Sequence, residues 1–333
     1  MANTRSQTVD ALKGMAILIV MVGHVLTWNH MEDGYLYDGI KVIQMPLFIM
    51  ISGYLCGIGR RAQSVTQYGK ILKKRGIAYL VPFFFWIILL HPLDPLSNII
   101  DTLFCLDKGL WFLMTLFLLN VMIYTAQLAE AMAARYKRQV FWLVYLGLTG
   151  FVVLQTLLGW EFLSPGLTRL YLPFYLAGYL SGEHREVCAK IGETWKALAC
   201  VLAAGGLLYL VIVCDLLDVG SLMLLGRQIL ASFLGCYVVI YLVALWRDGK
   251  GKRFLAWLGG YTLEIYVLHF HFATLLNQGK AYTLYSLEGL LFALASFVVM
   301  SGITAAIIVV TKKIPLLDFL LYGKLCQKKE IGG

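Results

Sequence analysis

The chemistry this sequence can offer rests on a few ionisable side chains set in apolar runs. Asp10-Ala-Leu-Lys13 opens one such run, which carries His24. Lys13 and His24 are 11 residues apart, about 16 Å along a helix. That spacing puts a cation at one face of a membrane and an imidazole in the outer half of the same helix. An ionisable side chain at that depth is costly and marks a functional site by default. A neutral imidazole can take a proton from a hydroxyl or carry an acyl group as a nucleophile; a proton relay is the other role open to it. Farther on, Glu264, His269 and His271 share a second apolar stretch. Glu264 precedes His271 by seven residues and His269 by five, so on a continuous helix it shares a face better with His271. His269 falls at about the depth of His24. His269 and His271 alternate faces, and no spacing of His, Cys or carboxylates suggests a metal site.

The elements that position these groups are membrane helices. The chain has 333 residues, of which 60% are hydrophobic and 14% charged, and its mean hydropathy is +0.76. A soluble domain carries about 25% charged residues. A span needs roughly 20 apolar residues. Ten stretches are expected to cross: about 11–29, 40–59, 76–92, 109–129, 139–158, 167–181, 195–214, 226–246, 258–277 and 289–311. Pro82 and Pro173 lie inside the third and sixth, where neighbouring helices can satisfy the freed carbonyl. No small-residue cleavage site follows the first apolar run, so it reads as an uncleaved helix. The expectation is an all-α, polytopic membrane protein forming a single domain over 1–333. Its membrane region covers about 11–311, with a short cytoplasmic tail over 312–333.

Charge sorting supports this topology. With a cytoplasmic N-terminus, twenty-two of the 28 Lys and Arg fall in inner segments, from Arg5 through the 60–75 run to Lys328 and Lys329. Lys13 lies at the inner boundary and only Lys41, Lys108, Arg169, Arg227 and Lys280 fall outside, while Asp33, Asp38, Asp101 and Asp218 are among the acidic residues of the outer loops. This positive-inside split puts both termini in the cytoplasm. It also accounts for the net charge of +9 without nucleic acid. The seven cysteines, Cys326 included, are scattered and read as small apolar residues. Trp28, Trp86, Trp111 and Trp160 fall near span ends, as an aromatic belt would place them. Trp111 can equally stack on a sugar ring, and Arg169 can hold an anionic acceptor or simply snorkel. Asn120, Gln155 and Gln44 read as polar links between helices, and Gly23 and Ser52-Gly53 as points of close helix approach.

Several blocks carry a family resemblance. Asp10-x-x-Lys13-Gly14 leading to Val22-Gly23-His24 resembles the opening of the acyltransferase-3 family of integral membrane acyltransferases. Met45-Pro46-Leu47-Phe48 with Ser52-Gly53-Tyr54 is similar to its second helix, and Lys74-Arg75 with Pro82 to its basic loop and third helix. Gly109-Leu-Trp111-Phe112-Leu113, Leu172-Pro173-Phe174 with Gly178-Tyr179, and Leu258-Gly259 through Ile265-Tyr266 to His269 follow in family order. The wording is most like that of the family's sugar O-acetylases, the fucose 4-O-acetylases of nodulation factors among them.

The resemblance implies transfer of an acyl group, usually acetyl, from cytoplasmic acyl-CoA to a hydroxyl of an envelope glycan or lipid-linked sugar. The protein would sit in a bacterial cytoplasmic membrane among lipids. The family's basic-x10-His signature maps onto Lys13 and His24, with lysine where arginine is common; lysine still pairs with phosphate as a point charge. Ala78 stands where a second arginine often follows the basic loop. His24 is thereby implied as catalytic, and His269 sits where the family motif marks a position; Glu264, a carboxylate within an apolar stretch, is a further catalytic candidate on its own chemistry. Lys13, Lys74 and Arg75 are donor-side candidates, and Trp111 and Arg169 acceptor-side ones. Acyl-CoA is a donor substrate; no bound cofactor is implied. The rival reading is a proton-coupled transporter or flippase of a glycan precursor or small metabolite, with His24 and Glu264 as relay. A partner protein that completes the transfer is a third reading.

Overall fold

The computed structural model describes residues 6–217 and 221–324. Arg5, Asp218, Cys326, Lys328 and Lys329 lie outside them. The helices in chain order are α1 (Gln7–Trp28), α2 (Tyr35–Gly57), α3 (Val65–Leu90), α4 (Pro95–Phe104), α5 (Trp111–Met132), α6 (Lys137–Leu157) and α7 (Pro165–Glu183). There follow α8 (Arg185–Lys190), α9 (Glu193–Val213), α10 (Leu222–Leu245), α11 (Lys250–Leu258), α12 (Thr262–Leu268), α13 (Leu287–Thr311) and α14 (Pro315–Tyr322). Single 3-10 turns occupy Leu106–Lys108 and His269–Phe272. Among the described residues no strand occurs, so the all-α reading holds.

Local chemistry sets many helix ends. The Ser64 hydroxyl accepts from the Gln67 amide at the start of α3, the Asp94 carboxylate from the Ser97 amide at α4, and the Ser221 hydroxyl from the Leu224 amide at α10. Gly323 ends α14 at φ +62°, a left-handed position that glycine adopts without penalty.

Among the described residues, seven helices are long and apolar enough to cross a membrane: α1, α2, α5, α6, α9, α10 and α13. The expected count of ten is not confirmed. The third and sixth stretches are helical, as α3 and α7, but α3 carries Lys70, Lys73, Lys74 and Arg75 in its first half. The ninth stretch departs most. Residues 258–277 do not form one long helix: α11 stops at Leu258, Gly259-Gly260 breaks the chain, and the short α12 gives way to a 3-10 turn.

The chain divides into two compact units, 1–57 with 176–308 and 58–175 with 309–333. In the first unit α1 packs against α2, α10 and α11, and α9 against α10 and α2. In the second, α5 packs against α3 and α6, and α14 against α3. Burial separates scaffold from lipid-facing helices. Of the most apolar 18 residues, 61% are buried in α1 and 67% in α5, against 17% in α6 and 22% in α13. The exposed Leu, Val and Ile of α6 and α13 suit hydrocarbon rather than water.

Trp86 corrects the aromatic-belt reading. It is buried, and its indole N–H donates to the Leu321 carbonyl 3.2 Å away, tying α14 to α3. Asn120 is corrected as well: its amide donates to the Leu116 carbonyl at 2.6 Å, inside its own helix. Trp28 and Trp160 are exposed, as a belt requires.

Candidate active site

The first unit assembles its polar centre from glycine contacts upward. A Cβ on Gly14 would lie 2.0 Å from the Leu255 carbonyl oxygen, and one on Gly259 would lie 1.9 Å from that of Asp10. Only glycines allow the backbones of α1 and α11 to approach this closely. These two contacts run antiparallel, Leu255 against Gly14 and Gly259 against Asp10. After Gly259-Gly260 the chain reverses, and α12 climbs alongside α1. It delivers His269 to His24, with ring centroids 4.8 Å apart and planes tilted by 36°. Phe270 closes one side, edge-on to His24 at 6.3 Å.

The two imidazoles differ in their bonds. His269 is fully buried, and its Nδ1 lies 2.7 Å from the Ile265 carbonyl oxygen. A carbonyl only accepts, so in the neutral ring Nδ1 carries the hydrogen and Nε2 keeps a lone pair. That Nε2 is buried with no hydrogen-bond partner among the described residues, and so is Nδ1 of His24. Buried polar atoms are normally bonded. Two imidazole nitrogens left open in adjacent rings are able to take a proton or a hydrogen bond from a bound molecule. Glu264 is fully buried in the first turn of α12, where helix amides favour a carboxylate. Because α12 ends at Leu268, the seven-residue periodicity expected between Glu264 and His271 does not apply; the half-buried His271 lies beside Phe270, with centroids 4.0 Å apart and ring planes tilted by 34°.

The inner end of α1 holds Lys13, whose ammonium pairs with Asp10 at 2.7 Å. Near His24, α2 approaches closely: a Cβ on Gly23 would sit 2.0 Å from Gln44 Oε1 and 3.2 Å from Ile40 Cγ2. Gln44 does lie at a helix–helix seam. The Asn29 amide donates to the carbonyls of Val25 and Ala273, at 2.8 and 2.9 Å, and fastens the outer end of α1 to the chain just after the 3-10 turn.

The remaining candidates fall in the second unit. Arg75 in α3 donates to the Tyr79 hydroxyl at 3.2 Å and bonds Tyr124, with Tyr175 in electrostatic reach. Lys74, its neighbour, is exposed. Preceding them, Arg60, Arg61, Gln63, Gln67, Lys70 and Ile71 line a depression of about 460 Å³. Its wall is fixed to α5, since Arg61 pairs with Glu130 and the Ala62 amide donates to Gln127 at 3.0 Å. Trp111 stacks on Tyr171, centroids 5.2 Å apart at 21°. Arg169, two residues before Tyr171, is half-buried, and its Nε has no hydrogen-bond partner among the described residues. The neighbouring Leu163 and Ser164 hold φ of 61° and 43°, a strained conformation for non-glycine residues.

The structure thus joins His24 to His269 and Lys13 to Asp10. Sequence reasoning missed the tyrosines around Arg75 and the polar stripe of α2 that meets α1 at Gly23 and Thr27, on either side of His24. The stripe had a signal in the spacing of Tyr37, Lys41 and Gln44; the tyrosines come from three helices and had none.

The family model described as "Acyltransferase domain" matches residues 7–311. The chain is 25% identical over 209 residues to a protein named "Nodulation protein NolL" from Mesorhizobium japonicum, covering 58% of this chain and 52% of the relative. It is 33% identical over 96 residues to a protein of the same name from Sinorhizobium fredii, covering 27% of this chain and 25% of the relative. The chain therefore spans about half the length, or less, of these curated relatives. No solved structure matches it.

Proposed function

This chain belongs to the acyltransferase-3 family of membrane acyltransferases, and on that premise we propose that it is an O-acyltransferase, moving an acetyl group from cytoplasmic acyl-CoA to a hydroxyl of an envelope glycan or lipid-linked sugar. The observation that carries this reading is the pairing of His24, on the helix that also holds Lys13, with His269 from the turn after α12, their ring centroids 4.8 Å apart. The matched family model supplies the reaction class, and the curated relatives' association with nodulation is consistent with a bacterial glycan acceptor.

In this reading His24 takes the proton of the acceptor hydroxyl. The oxygen bonds to the thioester carbonyl carbon, the C–S bond breaks, and the proton passes to the departing thiolate. His269, its tautomer set by the Ile265 carbonyl, keeps an Nε2 lone pair that no described group satisfies at rest and that takes up the Nδ1–H of His24 only once that ring is protonated. It thereby steadies the imidazolium that forms transiently. Lys13, Lys74 and Arg75 serve the donor's phosphates, with Arg75 held ready by its tyrosines. Trp111 and Arg169 serve the acceptor, through a sugar face and an anionic group. The protein acts in a bacterial cytoplasmic membrane, with lipids, the glycan acceptor and, where transfer is relayed, a partner protein.

The test uses purified full-length protein in nanodiscs with radiolabelled acetyl-CoA, comparing wild type with His24→Ala and His24→Gln at matched fold and expression. Hydrolysis or label transfer present in wild type and lost in both variants is the expected result. Full activity in the variants removes His24 from the mechanism. Absence of turnover of any acyl-CoA by wild type brings transport to the front.

A further inference from the structure

Lys41 carries a charge that the mechanism above does not use. Tyr37, Lys41 and Gln44, four and three residues apart, form one stripe of α2. The stripe faces α1 at both ends. At the outer end the Thr27 hydroxyl lies 3.1 Å from that of Tyr37, and since Tyr37 donates to Glu32 at 2.9 Å, Thr27 donates to Tyr37. At the inner end Gln44 sits against Gly23. On α1, His24 lies between Gly23 and Thr27. Lys41 on α2 lies between Gln44 and Tyr37. The helix pairing therefore delivers the ammonium to the level of the imidazole, and its charge is felt at the His24 ring.

Lys41 is half-buried, with Nζ 5.7 Å from the centroid of the Tyr37 ring. Among the described residues no carboxylate forms an ion pair with it. Glu32, which it feels electrostatically, is engaged by Tyr37. A lysine that only anchors a helix extends its ammonium into the headgroup water. This one lies along a helix–helix seam, where a desolvated cation without a counter-ion is costly. An anion arriving beside His24 would offset that cost.

We propose that Lys41 stabilises the oxyanion formed when an acyl group is transferred at His24. The assignment rests on the acyltransferase reading above. The acceptor O–H gives its proton to His24, its oxygen bonds to the thioester carbon, and the carbonyl π pair moves onto oxygen, where the Lys41 ammonium faces it. As that pair returns, the C–S bond breaks and the thiolate takes the proton from His24. The ester and the free thiol leave, and Lys41 is unchanged. An ammonium fixed in a site shielded from water stabilises such developing charge far more than it would in bulk solvent.

The experiment measures hydrolysis of acetyl-CoA, with water as acceptor, by full-length protein in nanodiscs, and separately the Kd of a non-hydrolysable acetyl-CoA analogue. Wild type is compared with Lys41→Met, Lys41→Arg and, should Lys41→Met fail to fold, Lys41→Gln. Loss of a single oxyanion donor lowers kcat by about 10²-fold. The expected result is that loss in Lys41→Met, with Kd within about twofold and at least about a tenth of kcat kept by Lys41→Arg. Wild-type kcat in Lys41→Met overturns the assignment while the acyltransferase reading stands. A Kd that weakens in step with kcat also overturns it, because Lys41 would then hold the ground-state donor. A wild type that turns over no acyl-CoA defeats both readings together.

Discussion

The imidazoles of His24 and His269 stand 4.8 Å apart although 244 residues of chain lie between them, and only one of the two is tethered, through Nδ1, to a backbone carbonyl. The tether and the open Nε2 of His269 can be separated by substitution. Asparagine places its amide N–H where Nδ1–H stands but has nothing at Nε2; alanine removes both. His269→Asn is expected to keep thermal stability near wild type and lose about 10²-fold in kcat, the upper range of a positioned proton-transfer partner being about 10⁴-fold. His269→Ala should lose similar activity and a further ~1 kcal/mol of stability for the bond to Ile265. Chemical denaturation and acetyl-CoA turnover, measured on the same preparations, check this. Wild-type kcat in His269→Asn would show that His269 only packs.

The approach of α1 to α11 makes a second prediction. Gly259→Ala would place its methyl 1.9 Å from the Asp10 carbonyl oxygen, and Gly14→Ala would place its own 2.0 Å from that of Leu255. Neither contact can be relieved by a rotamer, since both partners are backbone. Each variant is expected to be destabilised by about 1–3 kcal/mol or more, as overpacked cores are. Each should also lose activity, because the same hairpin sets His269 against His24. Gly39→Ala is the control, with nothing within 4 Å of its new methyl. It should be neutral or stabilising by about 0.5–1 kcal/mol in mid-helix. A Gly259→Ala protein as stable and active as Gly39→Ala would contradict the close packing.

What the sequence could show follows from what was local. Lys13 and His24 stood out because each is an ionisable side chain in or beside an apolar run, and runs are read by composition alone. The same criterion misread 258–277 as one helix. Hydropathy does not register that two adjacent glycines free the chain to reverse, or that the reversal is held by contacts with Asp10 and Gly14, far off in sequence. Charge sorting treated Lys41 as one more outer cation, since its significance depends on which stripe of α2 faces α1. Trp86 looked like a belt residue from its place in α3, whereas it is buried and its indole bonds a carbonyl of α14, which returns from the far end of the sequence. The tyrosines around Arg75 come from α3, α5 and α7 and leave no pattern in any of them.

Lys13 gives a third prediction. Its ammonium is held by Asp10 at 2.7 Å, with both side chains largely out of solvent. A donor phosphate at this end of α1 would share a cation already fixed in position. Lys13→Met is therefore expected to raise KM for acetyl-CoA about tenfold, the worth of one charge-assisted bond, with kcat within about threefold. Lys13→Arg should retain most of the affinity. A fall in kcat at unchanged KM would instead place Lys13 at the reacting centre.

The basic depression before α3 gives the last. Arg61 is engaged by Glu130, so Arg60 and Lys70 are the cations lining it that no described carboxylate is shown to neutralise. Gln63 and Gln67 supply neutral hydrogen-bonding groups beside them. Such a surface suits the phosphorylated nucleotide end of coenzyme A rather than its thioester. The double variant Arg60→Ala, Lys70→Ala is thus expected to raise KM for acetyl-CoA by about tenfold, each exposed cation being worth up to ~1 kcal/mol. KM for acetyl-pantetheine, which lacks the nucleotide, should not change. Raising salt from 50 to 300 mM should narrow the difference between wild type and variant, because exposed charges are screened over about 10 Å at 0.1 M. Equal losses with both donors would mean that the substitutions act through the loop's packing onto α5, and unchanged KM with acetyl-CoA would leave these two cations as topology signals alone.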